Sequence, residues 1–64
     1  MHSSTNLYLQ QRESIKDAVY LVIGSQILDH EAEGILDLYK KHSKESSFIS
    51  ILTYIESLYE SAQK

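Results

Sequence analysis

The stretch Ala18-Val19-Tyr20-Leu21-Val22-Ile23 decides how this chain folds, because six apolar residues in succession leave no side of a helix or strand for water. In a chain of 64 residues, such a segment has to be covered by its own neighbours or by another chain. A chain of this size buries only roughly 60% of the surface that its unfolded form exposes, so its stability is marginal. The absence of cysteine excludes a disulfide or a thiolate zinc site as additional support. We therefore expect self-association or a partner protein to contribute.

The same six residues are compatible with a buried strand or with a helix. The segment from Val19 to Ile23 is rich in β-branched and aromatic residues and is followed by Gly24-Ser25, as a buried strand would be. A single strand would leave backbone groups without hydrogen-bond partners, and no second segment alternates convincingly between apolar and polar residues. The chain has no proline and only two glycines, so hairpin turn signals are scarce. These observations favour the helix.

Apolar residues elsewhere recur at intervals of three and four, which is the period of an amphipathic helix. The clearest series lies in the last third of the chain and contains Phe48, Ile51, Leu52, Ile55, Leu58, Tyr59 and Ala62. A second series lies in the middle third and contains Leu28, Ala32, Ile35, Tyr39 and His42. We predict one all-α domain over residues 1–64, with helices at about 6–23, 26–42 and 46–62. The expected architecture is a small antiparallel three-helix bundle, or a helical hairpin with an additional helix, that forms an oligomer.

The helix ends carry further predictions. Ser25 or Asp29 is expected to cap the second helix, and one of three serines is expected to cap the third, namely Ser43, Ser46 or Ser47. Acidic residues early and basic residues late in the second helix suit its dipole. Gly34 lies inside the helical pattern, where it costs about 1 kcal/mol relative to alanine and leaves open a break or a close contact between helices.

No catalytic, metal-binding or nucleotide-binding motif is complete in this sequence. The segment 29–34, Asp-His-Glu-Ala-Glu-Gly, resembles the first half of a calcium-binding EF-hand loop. Position twelve of that loop falls on Lys40, where the bidentate glutamate belongs, so we predict no metal site. No glycine-rich elbow surrounds a serine that could act as a nucleophile. We therefore expect a non-enzymatic protein without a cofactor.

Lys40, Lys41 and Lys44 form a basic cluster that could contact an anion or a phosphate. The favoured interpretation is a charge complement to the carboxyl end of the second helix. The net charge of −3 argues mildly against nucleic-acid binding, and the segment 46–62 contains no arginine or lysine that could read bases. The alternative function is nevertheless a dimeric helical transcriptional regulator that contacts nucleic acid through these lysines.

The leading hypothesis is a small helical protein-interaction module, acting as an adaptor, as an antagonist or regulator of a larger protein, or as a chaperone. Such a module would bury an apolar helix face against a protein partner or against a second copy of itself in a dimer. The second and third helices can each cover one stripe of the first, which leaves Tyr20 and Leu21 for the partner. Tyrosines suit interfaces because they give a large apolar area and keep a hydroxyl for water, so we add Tyr54 and Tyr59 to the predicted interface.

The location of the protein is predicted from its first residues and from the length of its apolar run. The segment Met1-His2-Ser3-Ser4-Thr5 lacks the positive region and the long apolar region of a secretory signal. The apolar run of six residues is far shorter than a membrane span. We therefore expect a cytoplasmic protein that makes no contact with a membrane.

Overall fold

The computed structural model contains three helices: α1 (Ser3–Ile23), α2 (Asp29–His42) and α3 (Phe48–Gln63). It describes the backbone of residues 3–45 and 47–63, and the side chains of residues 7–45 and 47–60. No strand occurs within those residues, and the helices form a compact globule, which confirms the all-α class. The predicted bounds of the first and third helices differ from the observed ones by up to three residues. The second helix begins at Asp29, three residues after its predicted start near residue 26, and ends at His42.

The late start of α2 follows from its capping. Leu28 is the N-cap residue, with an extended backbone (φ −78°, ψ 159°) and no side-chain oxygen to offer. The Glu31 carboxylate instead accepts a hydrogen bond from the Leu28 N–H at 2.9 Å, which is one half of a capping box. The prediction of Ser25 or Asp29 as the cap was therefore wrong, because a downstream glutamate takes over this role.

The connection from α1 to α2 begins at Gly24, whose φ of +75° ends the helix. The Gly24 N–H still donates to the Tyr20 carbonyl oxygen at 2.8 Å. Glycine suits this position because a left-handed backbone costs it nothing.

The predicted serine cap of α3 is confirmed at Ser47, whose Oγ accepts a hydrogen bond from the Ser50 N–H at 3.2 Å. The second candidate, Ser43, has its Oγ within the preceding connection, where it accepts from the Glu45 N–H at 3.1 Å. The third candidate, Ser46, lies outside the described residues.

The central element of the fold is α1, which packs against both other helices, whereas α2 and α3 contact each other less. The buried core draws on all three helices and consists of Ile15, Ala18, Val19, Ala32, Leu36, Tyr39, Ile51 and Ile55. Within the opening apolar run, Ala18 and Val19 are fully buried, whereas Tyr20 and Leu21 are 52% and 65% exposed. The two outer helices thus cover one side of the run and leave the other side uncovered.

The helix α2 continues through Gly34 without a break. A Cβ atom placed on Gly34 would meet no neighbouring atom within 4 Å. Gly34 therefore neither breaks the helix nor makes a close contact with another helix, because it faces open space on an otherwise regular helix.

Candidate protein-binding surface

The uncovered side of α1 borders the start of α3. Tyr20 and Leu21 line a groove of about 440 Å³ together with Phe48, the first residue of α3, which is also exposed. Exposed apolar side chains that are scattered singly are ordinary, but a contiguous apolar surface with a polar border is typical of an interaction site. The groove is therefore the first part of a candidate binding surface.

Leu21 also lines a second, smaller cleft of about 290 Å³. This cleft includes Tyr59 of α3, which is partly buried and packs against the core. Leu21 is thus a lining residue of both clefts. We call the surface formed by Tyr20, Leu21, Phe48 and Tyr59 the α1–α3 face.

The remaining predicted interface residue, Tyr54, lies elsewhere. Its ring packs edge-on against Tyr39 with centroids 5.4 Å apart, and it lies 5.2 Å from the ring of His42. The cleft at this place, between α2 and α3, is lined by apolar parts of Tyr39, Tyr54 and Ile49 together with serine and other polar side chains. The structure therefore brings three of the four predicted residues onto one face and separates Tyr54 from them.

Phe48 was not among the interface residues predicted from the sequence. It begins the apolar series of the third helix, so the helical period assigned it to the core. The sequence did offer one signal that Phe48 is exposed, namely its position in the first turn of the third helix. A side chain there lies at the edge of the apolar stripe, where the neighbouring helix covers it less. Its proximity to Tyr20 and Leu21 depends on how α3 lies on α1.

Carboxylates border the α1–α3 face at both clefts. Glu13 and Asp17 of α1 line the larger groove. Glu56 and Glu60 of α3 line the smaller cleft. Among the described residues that line either cleft, Lys16 is the one basic side chain.

Lys16 is engaged in an ion-pair network between α1 and α2. Its Nζ donates to the Asp29 carboxylate at 2.7 Å and lies 3.7 Å from the carboxylate of Glu13. The Arg12 guanidinium donates to Glu33 at 3.2 Å and lies 3.6 Å from both Asp29 and Glu13. Two of the three carboxylates in the segment that resembled an EF-hand, those of Asp29 and Glu33, are therefore paired with cations of α1.

This network shifts the pKa values of its members in the directions that ion pairing requires. The hydrogen bond from Lys16 lowers the pKa of Asp29, and the nearby Arg12 adds to this effect. The same hydrogen bond raises the pKa of Lys16, and the bond to Glu33 raises the pKa of Arg12. The charged forms of all three groups are thus favoured in the folded state.

The three lysines of the predicted anion contact are all exposed and lie at the carboxyl end of α2 or just beyond it. The Lys40 ammonium lies over the Tyr8 ring, 5.2 Å from its centroid, which is a cation–π distance. Lys40 and Lys41 belong to the last turn of α2, where they complement the helix dipole.

No family model, curated protein or solved structure matches this chain. Over the residues that the structure describes, each helix is too short or too polar to reach across a bilayer.

Proposed function

We propose that this protein is a small non-enzymatic helical interaction module that binds another protein chain through the α1–α3 face, as an adaptor, a regulator or a chaperone would. The observation that carries the proposal is the 65% exposure of Leu21, which lines two clefts that are themselves lined by aromatic side chains. Burying a leucine side chain fully contributes about 1.5–3 kcal/mol, so a partner that covers this face gains a substantial driving force.

The proposal includes an antiparallel bundle. Three contacts between α1 and α2 support it, namely Tyr8 with Lys40, Arg12 with Glu33, and Lys16 with Asp29. Along these pairs the residue number rises on α1 while it falls on α2. The short connections 24–28 and 43–47 are typical of consecutive antiparallel helices.

The occupant of the face is a protein chain, either a partner or a second copy, and the proposed location is the cytoplasm. Two observations argue against the alternative of a nucleic-acid-binding regulator. Lys40 packs over Tyr8, and α3 has no basic side chain over residues 48–60. A helix that reads bases or binds phosphates needs arginine or lysine on its exposed side.

The test uses affinity capture from a native lysate and sedimentation over a concentration series, with three forms of the full chain. The variant Leu21→Ser removes the central apolar side chain of the face. The variant Leu38→Ser is its matched control, because Leu38 is a similarly exposed leucine on α2 that lines neither cleft. We expect the wild type and Leu38→Ser to retain a partner or to self-associate, and Leu21→Ser to lose that association while keeping its helical circular-dichroism spectrum. A monomeric wild type that captures no protein would contradict the proposal.

A further inference from the structure

We infer that the occupant of the α1–α3 face is a basic amphipathic helix of a partner protein, with lysine or arginine on both sides of an apolar stripe. This inference rests on the proposed function and adds the chemistry of the partner. It follows from the charges that surround the face and from the ion pairs that those charges do or do not make.

Three carboxylates on the border of the face are available to a partner. Asp17 lies at the groove of Tyr20, and Glu56 and Glu60 lie at the cleft of Tyr59. None of the three forms an ion pair with any side chain among residues 7–45 and 47–60. By contrast, the carboxylates of Asp29 and Glu33 on α2 are already paired with α1.

The basic side chain at the groove does not offset these carboxylates. The Lys16 ammonium lies 2.7 Å from the Asp29 carboxylate and 3.7 Å from the Glu13 carboxylate, so it is already paired. Lys16 and Arg12 together face three carboxylates, those of Glu13, Asp29 and Glu33, so the network has no cation left over. The α1–α3 face therefore combines exposed apolar side chains with carboxylates that have no ion-pair partner among the described residues.

A second copy of this chain is a poor match for these carboxylates. In a dimer with two-fold symmetry the same face of both copies is buried, so the carboxylates of one copy would approach those of the other. Like charges brought together at an interface oppose association, whereas opposite charges favour it and fix its orientation. A partner with a positive border satisfies both the charges and the apolar side chains.

A helix is the form of partner that can fill two clefts sharing one lining residue. The two clefts of the face share Leu21, and an amphipathic helix places apolar anchors at i, i+3, i+4 and i+7, which can enter successive clefts along one line. Lysines or arginines beside those anchors would then lie near Asp17 on α1 and near Glu56 on α3.

The experiment measures binding of the full chain to three synthetic peptides by fluorescence anisotropy. Each peptide has about 14 residues with leucines at helical spacing, and the remaining positions are lysine, glutamine or glutamate. We expect the leucine–lysine peptide to bind most tightly, the glutamate peptide to bind least, and added salt to weaken the lysine complex.

Two double variants with isosteric substitutions test whether carboxylates at the border of the face, rather than net charge, strengthen lysine-peptide binding. Asp17→Asn with Glu56→Gln removes two carboxylates from the border of the face, and we expect it to weaken lysine-peptide binding by about three- to fivefold. Asp37→Asn with Glu45→Gln makes the same change in net charge at exposed positions that line neither cleft, and we expect affinity to stay unchanged. Leu21→Ser should abolish binding in this assay, and Leu38→Ser should not.

The outcomes separate this inference from the proposed function. Equal binding of the three peptides, with a loss in Leu21→Ser, would overturn the basic partner and leave the face as a docking site. Equal weakening by the two charge-variant pairs would also overturn it. Sedimentation that shows a dimer abolished by Leu21→Ser would identify the second copy as the occupant instead. Failure of all three peptides to bind a monomeric chain would count against the basic helix, and the capture experiment then tests the proposed function separately.

Discussion

The Tyr39 hydroxyl on α2 lies 2.8 Å from the Ser50 Oγ on α3. The same hydroxyl donates to the Glu45 carbonyl oxygen at 2.7 Å, so the proton in the bond between the two hydroxyls comes from Ser50. Tyr39 is only 3% exposed, and its ring also meets the edge of Tyr54. Because α2 and α3 share few other contacts, this core tyrosine holds the 43–47 connection and the first turn of α3 in place.

Removing that hydroxyl should therefore destabilise the fold. We expect Tyr39→Phe to lower the free energy of unfolding by about 1–2 kcal/mol, because two hydrogen bonds are lost while the ring keeps its packing. Urea titration followed by circular dichroism measures the change. Tyr54→Phe is the matched control, since no hydrogen bond joins the Tyr54 hydroxyl to the described residues, and equal losses in both variants would contradict this role of Tyr39.

Substituting alanine for each of the two glycines should change the stability of the protein in opposite directions. Gly34→Ala should stabilise the protein by about 1 kcal/mol, because alanine is the better helix former and a Cβ there meets open space. Gly24→Ala should destabilise it by about 1 kcal/mol, because a φ of +75° is strained for alanine even without a clash. Thermal unfolding of both variants checks the prediction, and a shift of the same sign in both would disprove it.

Alanine substitutions of two leucines on α2 should change stability by very different amounts, although the two leucines are only two residues apart. Leu36 is 1% exposed in the core, whereas Leu38 is 52% exposed. We expect Leu36→Ala to cost about 2–5 kcal/mol, which is comparable with the whole stability of so small a domain, and Leu38→Ala to cost less than about 0.5 kcal/mol. The helical signal at 222 nm as a function of urea concentration would show Leu36→Ala largely unfolded. A folded Leu36→Ala with wild-type stability would mean that the core is placed wrongly.

The ion pair of Asp29 and Lys16 should make stability depend on pH in a defined direction. The pKa of Asp29 is lowered in the folded state, so its contribution is complete above the ordinary carboxyl pKa of about 3.9 and is lost as the pH falls through the lower folded value. The pKa of Lys16 is raised, so its contribution is complete below the ordinary value of about 10.4 and is lost as the pH rises through the higher folded one.

The measurement compares the urea midpoint of the wild type with that of Asp29→Asn across pH. We expect a small wild-type advantage near neutral pH that shrinks with added salt and vanishes at strongly acidic pH, because the pair is exposed to solvent. Glu45→Gln, which removes an exposed carboxylate without an ion-pair partner among the described residues, should show no such profile. An advantage that persisted once Asp29 was protonated would assign the effect to something other than the ion pair.

Much of the fold could be predicted because its signals are local. The spacing of Ile51 and Ile55 placed them on one helical stripe, and both are buried in the core. The first helix was predicted to end at about residue 23, and it ends there because Gly24 has a positive φ. Ser47 was one of the predicted caps of α3 and accepts the expected backbone hydrogen bond. Each of these features depends on residues within one or two helical turns of each other.

The candidate site could be predicted only in part. Because the second and third helices can each cover only one stripe of the first, Tyr20 and Leu21 were predicted to stay uncovered. Both are more than half exposed. Tyr54 was assigned to the same surface from residue type alone, but it packs beside Tyr39. Residue type states what a side chain can contact, whereas its actual neighbours depend on helices that are distant in sequence.

The sequence by itself determined three helices with their approximate ends, and an apolar run too wide for a single helical stripe, because helical period and helix capping are properties of neighbouring residues. Only the tertiary structure decided which side of Ala18-Val19-Tyr20-Leu21-Val22-Ile23 is covered. It also decided that Phe48 lines the same groove as Leu21 and that Asp17 of α1 and Glu56 of α3 line the two clefts that share Leu21. The physical reason is that the rotation and register of packed helices are set by the whole core at once, so the composition of a surface shared by α1 and α3 cannot be obtained from either segment alone.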